Sequence, residues 1–249
     1  MTTIRDAIVS PSVLADRLAQ LNALSLAKGA HDNFESGLCA MEAAAWIAGE
    51  PWSDDPTCVD VAISAFMRGW NDGLPSDADR DRLLKPIIAR TIGTRGSDAL
   101  AKRRGYLALD WLIRVHTPRW LDLVPALHSH ATALRNLEEI VDLAGATAAG
   151  TLTKAARAAA RAAAWDAARD AAGDAARAAA GAAAGDAAWE AAGAAAWDAA
   201  GAAAWAAAWD AATDAARAAA WDFLKPTVEW LQVSATDLIY RMIDLQEAA

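Results

Sequence analysis

Apolar residues recur every three or four positions through most of the first 145 residues, which is the spacing of an amphipathic helix. Residues 4 to 29 show this spacing first, and Pro11 after Ser10 is typical of a first helical turn. Further helical stretches are predicted over residues 38–49, 57–70, 78–92, 99–116 and 121–143. No run alternates β-branched with polar residues, so the pattern predicts an all-α protein.

Turn residues and prolines predict the helix boundaries. Residues 50–56 form a turn whose serine and aspartates are suitable caps for the helix that follows. Pro86 is expected to kink or split its helix, because proline removes one backbone hydrogen bond. Residues 117–120 are expected to break the next helix, with Pro118 in a first turn and Pro125 marking another restart.

A four-residue repeat fills residues 155 to 222. The first two positions of each of its 17 units are Ala, the third holds Arg, Trp, Gly or Thr, and the fourth is Ala or an acid. Ala is the strongest helix former and the repeat contains no proline, so it is predicted to be helical. Four residues turn a helix by about 400°, so the third-position column moves about 40° around the helix per unit. A single partner seam along the whole repeat is therefore not expected.

The length of the repeat limits how it packs. One unbroken helix would be about 100 Å long, whereas a compact chain of this size has a radius of gyration of about 18 Å. The repeat must therefore project and oligomerise, or fold back with its favoured break near residues 181 to 186, where glycines concentrate. Its tryptophans require packing partners, and helix–helix packing is the favoured interpretation. The predicted interface residues are Trp189, Trp197, Trp205 and Trp209.

Residues 223–227 are predicted to interrupt the chain after the repeat. An amphipathic helix follows and is expected to return to the N-terminal part of the fold. The predicted organisation is a helical body over residues 1–145, Ala-rich repeat helices over 146–222 and a closing amphipathic helix over 223–249.

The charge and composition of the chain exclude several classes of function. A net charge of −9 makes nucleic-acid binding by charge alone unfavourable. No apolar stretch is long enough to span a membrane, and the N-terminus lacks a secretion signal, so a cytoplasmic location is expected. Two cysteines are too few for a disulfide scaffold.

Cys39 is the candidate catalytic residue. It lies at a predicted helix start, where the helix dipole would lower the thiol pKa, and Glu42 follows three residues later. With His116 and Asp110 elsewhere in the chain, a hydrolase using cysteine, histidine and an acid is conceivable. The alternative is that Cys39 is a small buried apolar residue, and the lack of any defining spacing favours that alternative.

The remaining polar clusters predict no cofactor and no metal site. His128 and His130 would point to different faces of a helix, and their spacing matches no compact metal site. Residues 93–96 form a turn rather than a phosphate loop, since they follow a helix and lack the required lysine. Residues 102–104 are basic and are predicted to form a solvated helix face, with pairing to the acidic repeat as an option.

Residues 37–43 and 48–54 resemble a block found in a family of actinobacterial and phage proteins with a tetrapeptide Ala-rich repeat. The segments 84–86, 93–96, 110–121 and 224–227 look similar too. Most members are uncharacterised, and some are labelled as candidate immunity proteins against toxins. The resemblance covers about residues 35 to 123 and 223 to 245. It implies a bacterial or phage origin and a protein partner rather than a substrate, and it assigns no catalytic residue.

Three functions remain open from the sequence. The first is a non-enzymatic helical assembly or protein-binding module that self-associates through the Ala/Trp repeat. The second is a cysteine-dependent enzyme or small-molecule binder that uses the neighbourhood of Cys39, Glu42 and Trp52. The third, which the resemblance suggests, is an immunity, phage or host-defence protein that sequesters a toxin, another protein or a nucleotide. The sequence favours the first, with a homo-oligomer or a protein partner.

Overall fold

The structure is a computed structural model that describes the backbone of residues 13–190 and 198–247, and the side chains of residues 13–166 and 221–247. All regular structure in these ranges is helical, which confirms the all-α prediction. The α-helices are α1 (Ala15–Leu21), α2 (Ala40–Ala48), α3 (Val61–Gly73), α4 (Asp77–Thr91), α5 (Asp98–Trp111), α6 (Thr117–Leu121), α7 (His128–Arg135), α8 (Leu143–Glu190) and α9 (Asp198–Asp244). A π-helical turn (Leu112–His116) precedes α6, and a 3-10 turn (Pro125–Leu127) follows it.

The first helix is shorter than the range of 4 to 29 that its apolar spacing predicts. It ends at Leu21, and residues 1–12 lie outside the described residues. Beyond α1 the backbone is held by α4 instead of by helical hydrogen bonds, since the Leu26 N–H donates to Asp81 Oδ1 at 2.8 Å. A tertiary hydrogen bond and the burial of Leu26 therefore override the local helical preference.

Polar side chains cap the starts of α3, α4 and α5. Asp60 accepts hydrogen bonds from the free amides at the start of α3, and Ser76 and Ser97 do the same for α4 and α5. The prediction that the serine and aspartates of residues 50–56 cap α3 is wrong, because this helix begins at Val61. Only a side chain directly before the first turn reaches its free N–H groups.

Two prolines lie inside helices: Pro86, which was predicted to kink or split its helix, and Pro226, which lies in the predicted interruption at residues 223–227. Helix α4 continues through Pro86 without splitting, and α9 continues through Pro226, so the predicted interruption at residues 223–227 is wrong. An internal proline costs a helix about 3 kcal/mol. Burial of the apolar side chains that follow, such as Ile87 and Leu231, opposes that cost.

The segment between α5 and α6 is a π-helical turn. Helix α5 ends at Trp111 rather than at residue 116, and the π-helical turn leads into α6 without a loop. Pro118 lies in the first turn of α6, as predicted, where its missing N–H costs no helical hydrogen bond. The predicted restart at Pro125 is also confirmed, because a 3-10 turn begins there and leads into α7.

The chain divides into two compact units. The first contains the described residues up to Val115, Leu137–Ala148 and the residues from Gln232 onward. Helices α2, α3 and α4 and the C-terminal end of α9 build its core. Fully buried side chains of this core include Met41, Ile47, Ile63, Met67, Leu84, Ile87, Ile88, Leu238 and Ile239. The C-terminal end of the chain therefore does pack with the N-terminal helices, as predicted.

The second unit contains His116–Asn136 and Ala149–Leu231. Within it, the guanidinium of Arg119 lies 5.1 Å from the ring centroid of Trp230. Ala149 of α8 is fully buried, which shows how the small side chains of this helix permit close packing.

The backbone of the repeat is helical wherever it is described. Helix α8 has 48 residues, or about 72 Å at about 1.5 Å per residue. It passes through residues 181–186 without interruption, so the favoured break is not at that position. Ala outnumbers Gly in this stretch, and its high helix propensity maintains the helix. Of the predicted interface residues, Trp197 and the side chains of Trp189, Trp205 and Trp209 lie outside the described residues.

Candidate functional site

Residues singled out from the sequence meet in one cluster at the start of α2. Cys39 is the N-cap of this helix, and its backbone N–H donates to Glu42 Oε2 at 2.7 Å. The same carboxylate accepts the backbone N–H of His31 at 2.5 Å and lies 2.8 Å from His31 Nδ1. Glu42 is only 1% exposed, so three donors compensate the burial of its carboxylate.

Aromatic rings complete this α2 cluster. The indole N–H of Trp52 donates to the backbone oxygen of His31 at 2.7 Å. The ring of Phe34 lies 5.3 Å from that of Trp46 and 6.0 Å from that of Trp52, measured between centroids. The sequence suggested the neighbourhood of Trp52 but missed Phe34 and the pairing of His31 with Glu42. Both His31 and Phe34 lie in an irregular segment where no periodicity indicates their partners.

Gly37 is essential to the shape of this segment. Its φ angle of +143° lies in a region that residues with a side chain rarely adopt. A Cβ atom at this position would lie 2.2 Å from Cδ2 of His31. The ring of His31 therefore packs directly against the Gly37 backbone, and the ring, the glycine and Glu42 hold the segment in place together.

The surroundings of Cys39 oppose a role as nucleophile. Burial raises its pKa to about 12, although its sulfur accepts a hydrogen bond from the Glu42 amide at 3.5 Å. The expectation that the helix start would lower this pKa is wrong, because the cost of burying a thiolate outweighs the favourable helix dipole. Burial also raises the pKa of Cys58, to about 11, with a further contribution from the negative charge of Glu50.

The other members of the conceivable catalytic set have different partners. Asp110 accepts hydrogen bonds from the Ile140 amide at 2.9 Å and from Arg114 at 3.0 Å. His116 accepts one from the indole of Trp120 at 3.2 Å, and burial lowers its pKa. These contacts join Asp110 and His116 to other parts of the helical framework, and none of them involves Cys39.

His128 and the turn at residues 93–96, which the sequence singled out, contact the protein's own backbone. His128 Nε2 lies 2.9 Å from the backbone oxygen of Asp122. No three histidine, cysteine, aspartate or glutamate side chains among the described residues are placed to hold a metal ion. Residues 93–96 form the turn predicted for them, since they lie between α4 and α5 and the Gly93 N–H donates to Cys58 O at 2.9 Å.

Arg104 departs from the predicted solvated basic face. It is 2% exposed, and Arg104 Nη1 lies 3.0 Å from Asp60 Oδ2. Its guanidinium also donates to the backbone oxygens of Thr94, Met242 and Leu245. The carbonyl oxygens at the C-terminal end of α9 and the Asp60 carboxylate hold this one member of the basic run in the interior, while its neighbour Arg103 remains exposed.

The second candidate region is the exposed apolar surface of the two long helices. Trp165, in the described part of the repeat, exposes 68% of its surface. On α9, four exposed residues at spacings of three, four and three lie on one face of the helix, and we call them the α9 stripe. The α9 stripe consists of Phe223, Pro226, Trp230 and Val233. Sequence reasoning missed the stripe because it followed only the buried face of this helix, although the spacing was visible.

Among the described residues, no helix combines the length and the apolar character that crossing a membrane requires. Comparison of the chain with known protein families, with curated proteins and with solved structures found no match.

Proposed function

We propose that the protein is a non-enzymatic helical assembly module that self-associates through the Ala/Trp repeat, residues 155 to 222. The observation that carries this proposal is the exposure of Trp165, whose indole leaves 68% of its surface uncovered within the chain. Tryptophan is among the residue types most enriched at protein interfaces, and burying one removes about 200 Å² from water.

The backbone of the repeat supports helix-to-helix association. Helix α8 continues for 48 residues, and Ala occupies at least half of the positions in every repeat unit. Small side chains let two helices approach closely. The third position supplies a large aromatic or charged side chain in 11 of the 17 units and Gly or Thr in the others. The column winds around the helix, so a second copy would contact successive short segments instead of one straight seam.

The α2 cluster offers less support for an enzyme. Its buried thiol has a raised pKa, and its carboxylate is occupied by three donors. Both features suit a group that fixes the backbone between α1 and α2. Sequestration of a toxin or another protein stays a prediction from the family resemblance, and no described contact favours it over self-association.

Sedimentation equilibrium of the full chain tests the proposal. The test variant replaces Trp165, Trp189, Trp197, Trp205 and Trp209 with Ala. These changes preserve or raise helix propensity, so a loss of association cannot be attributed to loss of the helix. Self-association should weaken at least about hundredfold, because interface tryptophans typically contribute more than 1 kcal/mol each.

Leu143→Ala is the matched control for exposed apolar area. Leu143 is 71% exposed and lies on α8 before the repeat begins, so its replacement should leave association unchanged. A wild-type chain that remains monomeric at all accessible concentrations would refute the proposal. An oligomer that the five-tryptophan variant retains would refute the role of the repeat.

A further inference from the structure

We infer that the α9 stripe is a docking surface for a second copy of this chain, with the two α9 helices running antiparallel. This inference rests on self-association as the proposed function, but it places one contact outside the repeat. All four side chains of the stripe are exposed, and Val233 leaves 62% of its surface uncovered. A neighbouring face of this part of α9, about 100° around the helix, is buried through Thr227, Leu231 and Leu238.

The spacing of the stripe is symmetric along the helix. Positions 223, 226, 230 and 233 are separated by three, four and three residues, which reads the same in both directions. A twofold axis near residue 228 therefore exchanges Phe223 with Val233 and Pro226 with Trp230. Interfaces with this symmetry use the same patch on both copies, so an apolar residue of one stripe faces an apolar residue of the other. The three–four spacing is also the one that lets two helices pack along a seam.

The charges beside the stripe complement each other across the same axis. Lys225 and Glu229 are both more than half exposed, and Lys225 Nζ lies 4.0 Å from Glu229 Oε1 within one helix. Lysine before glutamate is the weaker order for such a pair, so both groups remain available to other partners. In the antiparallel arrangement, Lys225 of each copy lies within about two residues, or about 3 Å along the axis, of Glu229 of the other. In a parallel arrangement, this flank of one helix would face the other flank of its partner, so Lys225 and Glu229 would not meet their counterparts.

The area of the stripe explains why the repeat must contribute as well. Its four side chains offer roughly 400 Å² per copy, whereas a stable interface covers about 800 Å² per partner. The stripe therefore supplies about half of a standard interface. Because α9 carries both the stripe and the last units of the repeat, the two contacts are continuous on one helix.

Charge reversal in the full chain tests this arrangement by sedimentation equilibrium. Lys225→Glu alone and Glu229→Lys alone should each weaken self-association about fivefold or more, because two symmetric attractions become repulsions. An equimolar mixture of the two variants should recover wild-type association, since each copy then meets the opposite charge. Wild-type behaviour of both single variants, which parallel pairing or an unused stripe would produce, overturns the inference.

A valine pair tests the apolar part of the stripe. Val233→Ser should weaken association, whereas Val141→Ser should not, although the two valines are 62% and 60% exposed. Equal effects of both changes would overturn the inference. If the five-tryptophan variant dissociates while the stripe variants do not, the inference fails and the proposed function stands. If the stripe variants dissociate while the five-tryptophan variant does not, the stripe is the interface and the proposed role of the repeat is refuted. A monomeric wild-type chain refutes both the inference and the proposed function.

Discussion

Replacing Arg104 with Met should destabilise the first compact unit by about 3–5 kcal/mol. The guanidinium donates to Thr94 O at 2.7 Å, Met242 O at 2.8 Å and Leu245 O at 3.1 Å. It also forms the ion pair with Asp60, whose Oδ2 is buried and has no hydrogen-bond donor among the described residues. Met fills a similar volume but removes the only positive charge paired with Oδ2 in the described part of the chain, so the buried carboxylate keeps only the amides at the start of α3 as donors to Oδ1. Removing one partner of a buried ion pair typically costs this amount, and the three lost hydrogen bonds act in the same direction.

Urea unfolding and hydrogen exchange of the C-terminal peptides of α9 measure this effect. For a chain of this size the loss corresponds to a fall in melting temperature of about 6–20 °C. Arg103→Met is the control, because Arg103 is exposed and donates only to Gln246 O among the described contacts. A difference of less than about 1 kcal/mol between the two variants, the upper range of an exposed charge pair, would refute the argument.

A second substitution separates the effect of the buried Asp60 charge from that of the three lost hydrogen bonds. Adding Asp60→Asn to Arg104→Met should restore part of the stability, because Asn also caps helices and carries no charge that needs compensation. If the double variant is less stable than Arg104→Met alone, the uncompensated carboxylate is not the main cause of the loss.

Three further predictions concern the first unit. Gly37→Ala should cost about 1–3 kcal/mol through its positive φ and the 2.2 Å approach, whereas Gly105→Ala, in open space within α5, should be neutral or stabilising in the same urea assay. Cys39 should remain unlabelled by iodoacetamide at neutral pH until urea unfolds the chain, and rapid labelling of the native protein would contradict its raised pKa. The hydrogen bond from Arg68 lowers the pKa of Asp55 from 3.8, so its stabilising contribution is present above that value and is lost as the pH falls through the lowered one. Arg68→Met should therefore reduce the pH dependence of the urea midpoint between about pH 2 and 5, and an unchanged dependence would contradict the assignment.

Part of the candidate site was predictable from local sequence. The Cys39–Glu42 spacing of three residues is that of a capping box, and the structure forms it with both hydrogen bonds. His31 was not predictable as the partner of Glu42, since it lies eleven residues earlier in the irregular segment before α2. The pKa of Cys39 also depended on burial, which the neighbouring residues alone do not determine.

Local sequence determined that the chain is helical. Ala pairs every four residues and apolar spacing of three to four make helix the favoured backbone state without reference to distant residues. The position of α2 and the restart at Pro125 follow from the same periodicity and from turn residues. Short-range energies suffice for these features because each depends on neighbours within about one helical turn.

Tertiary structure decided where helices end and which polar groups are buried. Packing maintains α9 through Pro226, and a hydrogen bond to Asp81 holds non-helical backbone where the pattern favoured helix. Arg104 is drawn from a basic run into the interior because the C-terminal carbonyls of α9 and the Asp60 carboxylate require donors there. These outcomes depend on groups that are distant in sequence, and their energies of several kcal/mol exceed the local preferences of about 1 kcal/mol per residue.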